Sequence, residues 1–269
     1  MSAAVDLSSL RKQGFQIEFL SHAEAILLVD FPEAVTELEA ALGKVTIPIE
    51  EIIAGGGGES KGTQRLRRAL NELGWVKTKF EVKKIINGQE REAISHEVDH
   101  VRNCAGGTLA LEIEWNNKDP FFDRDLENFK RLHSDGAISV GIIVTRGRTL
   151  HENMRALVRR FVEERQIGRF EDLKIWGYEP TSKQRRAIEN RVNRKKNPID
   201  FKEALVDKFV ADKFGEATTH WRKLEDRVRR GVGNPCPLLL VGLPDNIVTF
   251  HEGESALSEL LEAEENEGE

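Results

Sequence analysis

Ser95-His-Glu-Val-Asp-His-Val-Arg102 and, after the Gly106-Gly107 turn, Thr108-Leu-Ala-Leu-Glu-Ile-Glu-Trp-Asn-Asn-Lys118 decide the reading of this chain. The glycines separate two β-branched, largely apolar runs, and each run carries acids where a buried strand should have none. Side chains on a strand alternate between faces, so Glu112 and Glu114 share one side of the sheet while Leu109, Leu111 and Ile113 make the other side apolar. The tight turn brings Asp99 beside Glu112. Carboxylates placed together in this way resist burial unless a cation compensates them, and a divalent metal is the natural compensation. Asn116, Asn117 and Lys118 continue the polar face at the strand end, where ligand sites sit in sheets of this type.

Working outward, Phe80 to Ile86 and Ala93 to Val101 flank Asn87-Gly88, the strongest short hairpin signal, so a β-hairpin precedes the acidic strand. Pro120-Phe-Phe-Asp123 ends that strand, and Asp123 is placed to cap a helix running to about His133 with Leu126, Phe129 and Leu132 facing inward. Ala137 to Thr145 is apolar throughout and reads as the buried centre of a sheet. A helix follows over 150–165 with Arg155, Arg159 and Arg160 exposed, then a strand over Leu173 to Tyr178. Charged helices cover roughly 181–194, 201–214 and 216–230, and Pro235 to Leu243 supplies a last strand.

Residues 1–54 read as helices and loops, including Pro32 to Leu42 with its proline in the first turn. A run of four glycines from Gly55 feeds a helix over about 60–73 that Gly74 closes. The phosphate-loop pattern is not met there, because no lysine stands between Gly62 and Thr63. Glu59 either adds a carboxylate to the acidic site or is a favourable acid at a helix start. The order α–β–β–β–α–β–α–β defines an α/β fold: a mixed β-sheet core flanked by helices, with extra helices at both ends.

Composition sets the class. A hydrophobic share of 39% is enough for a core, while a mean hydropathy of −0.45 and the lack of a long apolar run imply a soluble protein. No secretory signal is visible, and Cys104 and Cys236 form no paired motif, so a reduced, cytoplasmic setting is expected. The net charge of −6 belongs to the tail: residues 252–269 hold eight glutamates and no lysine or arginine, and without them the charge is +2. Basic clusters at Arg65–Arg68, Arg155–Arg160, Lys183–Lys196 and Arg222–Arg230 permit a DNA-binding surface, or else are solvated helix faces.

Glu97-Val-Asp99, Leu111-Glu-Ile-Glu-Trp-Asn-Asn-Lys-Asp-Pro-Phe-Phe-Asp-Arg-Asp-Leu126 and Gly136-Ala-Ile-Ser-Val-Gly-Ile-Ile-Val-Thr-Arg146 together resemble type II restriction endonucleases of the PD-(D/E)XK superfamily, in the BglII/BamHI-like group. The sequence departs from the general motif in having Glu114 where most members place lysine, and Val98 in place of the proline; the first departure points to that subgroup. The resemblance implies a restriction-endonuclease-like fold with a catalytic core over 55–180. It also implies a helical N-terminal part (1–54), a DNA-binding and dimerising C-terminal part (181–251) and an acidic tail (252–269).

It implies that Asp99, Glu112 and the carbonyl of Ile113 ligate Mg²⁺, with Glu114 handling the attacking water. Double-stranded DNA would be cut at a short palindrome to leave 5′-phosphates, which calls for a C2 homodimer. The helices at 123–133 and 150–165 are candidates for its packing. Arg, Lys and Asn side chains suit phosphate and base contacts, which makes Asn116, Asn117, Lys118, Arg146, Arg148, Arg230 and Asn234 candidates for DNA binding. A structure-directed repair or junction-resolving nuclease, or a DNA-binding module without catalysis, is the alternative.

Overall fold

The computed structural model describes residues 6–54 and 61–251, leaving aside the side chains of residues 84 and 91–94. Glu59, the glycines at 55–58 and the acidic tail lie outside the described residues. In chain order the elements are α1 (Ser8–Lys12), β1 (Gln16–Leu20), α2 (Ala23–Asp30), α3 (Pro32–Leu42), β2 (Ile47–Pro48), α4 (Ile49–Ile53), α5 (Lys61–Glu72), β3 (Val76–Ile86), β4 (Gln89–Cys104), β5 (Gly107–Glu114), α6 (Phe121–Ser134) and β6 (Val140–Arg146). Next come α7 (Arg148–Glu164), a 3₁₀ helix (Phe170–Trp176), α8 (Ser182–Val192), α9 (Phe201–Lys213), α10 (Trp221–Arg229), β7 (Leu238–Leu243) and β8 (Val248–Thr249).

The chain divides into two compact units. The first takes the residues up to Val45, Thr63–Arg148 and Thr218–Pro244, and holds a six-stranded mixed sheet in the order β1-β7-β6-β5-β4-β3. β3, β4 and β5 are antiparallel neighbours, β5, β6 and β7 run parallel, and β1 closes the edge antiparallel to β7. All residues of β6 and β7 are buried, as strands covered on both faces must be. Asn87 and Gly88 take positive φ (51° and 77°) in the β3–β4 turn, as an Asn-Gly hairpin requires.

α6 is the crossover from β5 to the parallel strand β6 and packs on one sheet face through Phe122, Leu126, Phe129 and Leu132, against Val101, Ala110 and Ile143. Ala110 pairs with Gly141 across β5 and β6. A methyl group on Gly141 would run into the Phe129 ring, 2.8 Å from its Cγ. Two adjacent small residues therefore let α6 sit low on the sheet. α3 is fastened to the other face: Arg102 donates to both carboxylate oxygens of Glu37 at 2.8 and 3.0 Å, and Trp75 Nε1 donates to Glu37 at 2.8 Å.

The second unit takes Thr46–Gly62, Thr149–Ala217 and the residues from Asp245. It is mainly helical, with β2 and β8 forming a short parallel pair. Edge-to-face contacts of Phe161 with Trp176, Phe170 with Phe201 and Tyr178 with Phe209 pack it, and Arg165 meets the buried Glu50 at 2.9 Å.

Three local expectations are corrected. The N-terminal region is not all helix, because Gln16–Leu20 pairs with β7 as an edge strand. The segment expected as a strand over Leu173 to Tyr178 lies mostly in the 3₁₀ helix, where Leu173 and Trp176, three residues apart, are both buried on one side. Asp123 does not cap α6: the helix starts after Pro120, and the Asp123 carboxylate instead accepts from Arg227 Nε at 2.9 Å.

Candidate active site

β5 runs from the Gly106-Gly107 turn into the parallel part of the sheet, with Glu112 beside Ile143 and Glu114 beside Thr145 of β6. Alternation from Ala110, which packs against α6, puts both glutamates on the α6 face. They are nearly enclosed, Glu112 at 5% and Glu114 at 2% relative exposure. Ile113 lies between them with its buried side chain on the opposite face.

α6 runs back along the sheet, so its N-terminal turns overlie the C-terminal end of β5. Phe129 fixes its height at Gly141, and Asp125, one turn earlier on the same helix face, reaches the level of the two glutamates. Asp125 is 1% exposed. Its Oδ1 accepts from Arg124 Nε at 2.7 Å, and Oδ2 is buried with no N–H or alcohol donor. Arg124 Nη2 stands 3.5 Å from Glu114 Oε1, and Asn117 Nδ2 donates to Glu114 Oε2 at 2.7 Å.

Asp99 arrives through an irregularity in β4. Val76 pairs with Val101 but Thr78 with Val98, so Asp99 and His100 together oppose Lys77 in a bulge. The register of His100 with Leu111 carries Asp99 opposite Glu112, and its side chain is half-exposed with Lys77 Nζ 3.9 Å away. On the other side of the bulge His100 is 1% exposed, and burial holds its imidazole down to about 4, neutral at ordinary pH.

Burial and mutual repulsion make these carboxyls hold protons. Burial first, then the charges of Asp125 and Asp99, push Glu112 up to about 10. Burial, then Asp125, push Glu114 up to about 8 against the pull of the Asn117 hydrogen bond. Burial raises Asp125 as well, and Glu114 holds the proton of the pair while Asp125 accepts it. An enclosed set of oxygen donors that cannot all ionise together is the donor chemistry that hard divalent cations take. Asp99, Glu112 and Glu114, with Asp125 beside them, are the acids at this end of β5 that could hold one.

The other residues singled out in the sequence lie in differing surroundings. The Asn117 backbone N–H donates to Thr219 Oγ1 at 3.0 Å, and its carbonyl accepts from the Thr219 N–H at 2.8 Å. Asn116 is half-buried, and Lys118 is exposed and bridges Thr218 through the backbone. Arg146 is fully enclosed at 0% exposure; it donates to the Trp115 carbonyl at 3.0 Å, Thr218 Oγ1 at 2.6 Å and the Thr219 carbonyl at 2.8 Å. Arg148 is exposed and pairs with Glu225 at 3.1 Å. Arg230 donates to the Asp226 carbonyl at 3.0 Å and lines an open groove of about 470 Å³ with Asp119, Lys223, Arg227 and Arg229. Asn234 is exposed.

The structure thus brings together Asp99, Glu112, Glu114 and Asn117, and adds Asp125 and Arg124. A signal for Asp125 was present: position 125 falls on the same helical stripe as Phe122, Leu126, Phe129 and Leu132, which makes it an acid on an inward face.

A family model described as Restriction endonuclease BglII/BglIII matches residues 15–243. That span opens just before β1 and closes at the end of β7, so it contains the whole six-stranded sheet. No curated relative matches the chain significantly. Among the described residues no helix is long and apolar enough to cross a membrane.

Proposed function

The chain belongs to the BglII/BglIII restriction endonuclease family, and on that premise we propose that it is a Mg²⁺-dependent type II enzyme cleaving double-stranded DNA within a short palindromic sequence. The observation that carries the reading is the gathering of Asp99, Glu112 and Glu114 at one end of β5, two of them enclosed and all of them oxygen donors.

Asp99, Glu112 and the Ile113 carbonyl would hold the cation. When bound, Mg²⁺ supplies a lowered pKa for coordinated water and neutralises charge on the phosphate. Glu114, steadied by Asn117, would orient the attacking water and, in its ionised form, take its proton. In-line attack breaks the P–O3′ bond and leaves 5′-phosphate and 3′-hydroxyl ends. Lys118, Asn116, Arg148, Arg230 and Asn234 are candidates for holding the duplex. Equal readers for the two halves of a palindrome imply a C2 homodimer, working on DNA in the cytoplasm.

Digestion of supercoiled plasmid with Mg²⁺ tests this. Discrete fragments that stay unchanged on prolonged digestion support it. A smear, or cutting confined to branched or mismatched DNA, replaces it with structure-directed cleavage, and tight DNA binding without cutting replaces it with an inactive binding module. Ca²⁺ in place of Mg²⁺ is expected to support specific binding without cleavage, and rapid cutting in Ca²⁺ alone contradicts the assigned role of Mg²⁺.

A further inference from the structure

The three acids carried by β4 and β5 leave one enclosed carboxylate unaccounted for. Asp125 is contributed by α6, is 1% exposed, and sits on a helix face otherwise made of Phe122, Leu126, Phe129 and Leu132. Burying an acid there costs free energy that a leucine would not cost, so it needs a compensating partner. Arg124 supplies part of the compensation to one oxygen, Oδ1. The other oxygen, Oδ2, is enclosed with no N–H or alcohol donor, beside two further carboxyls whose only offer is a shared proton from Glu114.

A helix-start role does not explain the residue. Asp125 is the fifth residue of α6, past the first turn where an acid answers exposed N–H groups, and Asp123 already occupies that turn. A purely structural acid would have both oxygens met by fixed N–H donors, as Glu37 does with Arg102 and Trp75, rather than by a proton shared with another acid.

The geometry points to Asp125 as a direct ligand of the divalent cation, contributing Oδ2 from α6 opposite the strand-borne Glu112. This rests on the metal-dependent reading above and extends it. The site becomes a cage closed from two sides, with a sheet floor of Glu112, Glu114 and Asp99 and a helical roof of Asp125. Hard cations take six or more oxygens, and ligands from two independent elements surround an ion better than a single strand can.

Mn²⁺ binding to the full-length protein, read by electron paramagnetic resonance of the free ion with Mg²⁺ as competitor, tests the assignment without reference to cleavage. Asp125→Asn keeps the side-chain shape and removes the anionic ligand; Glu112→Gln serves as the reference loss, and Glu127→Gln, a half-exposed acid on the same helix that pairs with Lys130, controls for net charge. The expected result is a fall in Mn²⁺ affinity of tenfold or more for Asp125→Asn and Glu112→Gln, and less than twofold for Glu127→Gln. The metal-free melting temperature of Asp125→Asn should be unchanged or higher, because a repelling charge is gone, whereas a purely structural acid would lower it. If Asp125→Asn binds Mn²⁺ like the parent while Glu112→Gln does not, the role of Asp125 is overturned and the metal-dependent reading stands. A parent protein that binds no Mn²⁺ overturns both.

Discussion

At the carboxyl ends of two neighbouring parallel strands, charge is buried in opposite ways. β6 ends in Arg146, completely enclosed, with its guanidinium donating to two carbonyls and a hydroxyl. β5 ends in Glu112 and Glu114, nearly as enclosed, but their neighbours are more carboxyls, the Asn117 amide that donates to Glu114 and the tip of one partly exposed arginine. A buried charge with its partners in place is a tie, and Arg146 joins the Trp115 and Thr218–Thr219 segments. A buried charge among like charges is a vacancy for a counter-ion. The contrast separates framework from chemistry more sharply than exposure does.

The largest effect that tests the contrast is on cleavage. Glu112→Ala should lower single-turnover plasmid cutting by at least about 10³-fold, with DNA binding in Ca²⁺ retained or tightened, since a negative charge facing phosphates is removed. Undiminished cutting would remove Glu112 from the chemistry. Replacing the tie should instead cost the fold: Arg146→Met strands three acceptors inside the protein and should lower unfolding free energy by about 3–5 kcal/mol, measured by urea titration. A loss under about 1 kcal/mol would mean that the enclosed guanidinium is not what holds that end of the sheet.

The next effect is in pH. Glu112 and Glu114 have folded pKa values above their unfolded ones, so above the ordinary carboxyl range the native state holds protons that the unfolded chain has released. Stability of the metal-free protein must then fall as pH rises from about 5 towards the folded values of about 8 for Glu114 and about 10 for Glu112. Melting in EDTA across pH 5.5 to 8.5 should show the decline, and Glu114→Gln should flatten it; a level profile in the parent would show that the carboxyls are better compensated than the geometry implies. The smallest effect belongs to Arg124, whose side chain is 53% exposed. Arg124→Ala should change stability by less than about 1 kcal/mol while modestly tightening Mn²⁺, because a competing cation leaves; weaker Mn²⁺ binding would make Arg124 a support for the site.

Much of this was legible in the sequence where one physical signal dominated. The Asn87-Gly88 turn, the alternation that pairs Glu112 with Glu114 and the apolar run that became β6 each rest on a local rule without a competitor. β1 was lost because five residues of Gln-Ile-Glu-Phe-Leu fit a short strand and a helical turn equally; its antiparallel place beside β7, more than 200 residues away, decides between them. Leu173 to Trp176 looked like a strand because β-branched and aromatic content outweighed the three-residue spacing of its buried side chains. Asp125 was masked by its neighbours: in an Asp-Arg-Asp string at a helix start, solvent exposure is the ordinary expectation, and it outweighed the apolar stripe that carries position 125 inward.

That docking depends on Gly141. The residue carries no charge and stands a full strand step below the acids, yet it determines how closely the Phe129 ring, and all of α6 with it, approaches the sheet. The separation between the helix-borne and strand-borne carboxyls is therefore gauged from beneath, by a missing methyl group. Enlarging that position acts as a spacer inserted under a jaw: it keeps every acid in the chain but lifts Asp125 away from the strand-borne carboxyls, which would favour the longer oxygen contacts of Ca²⁺ over the short ones that Mg²⁺ demands.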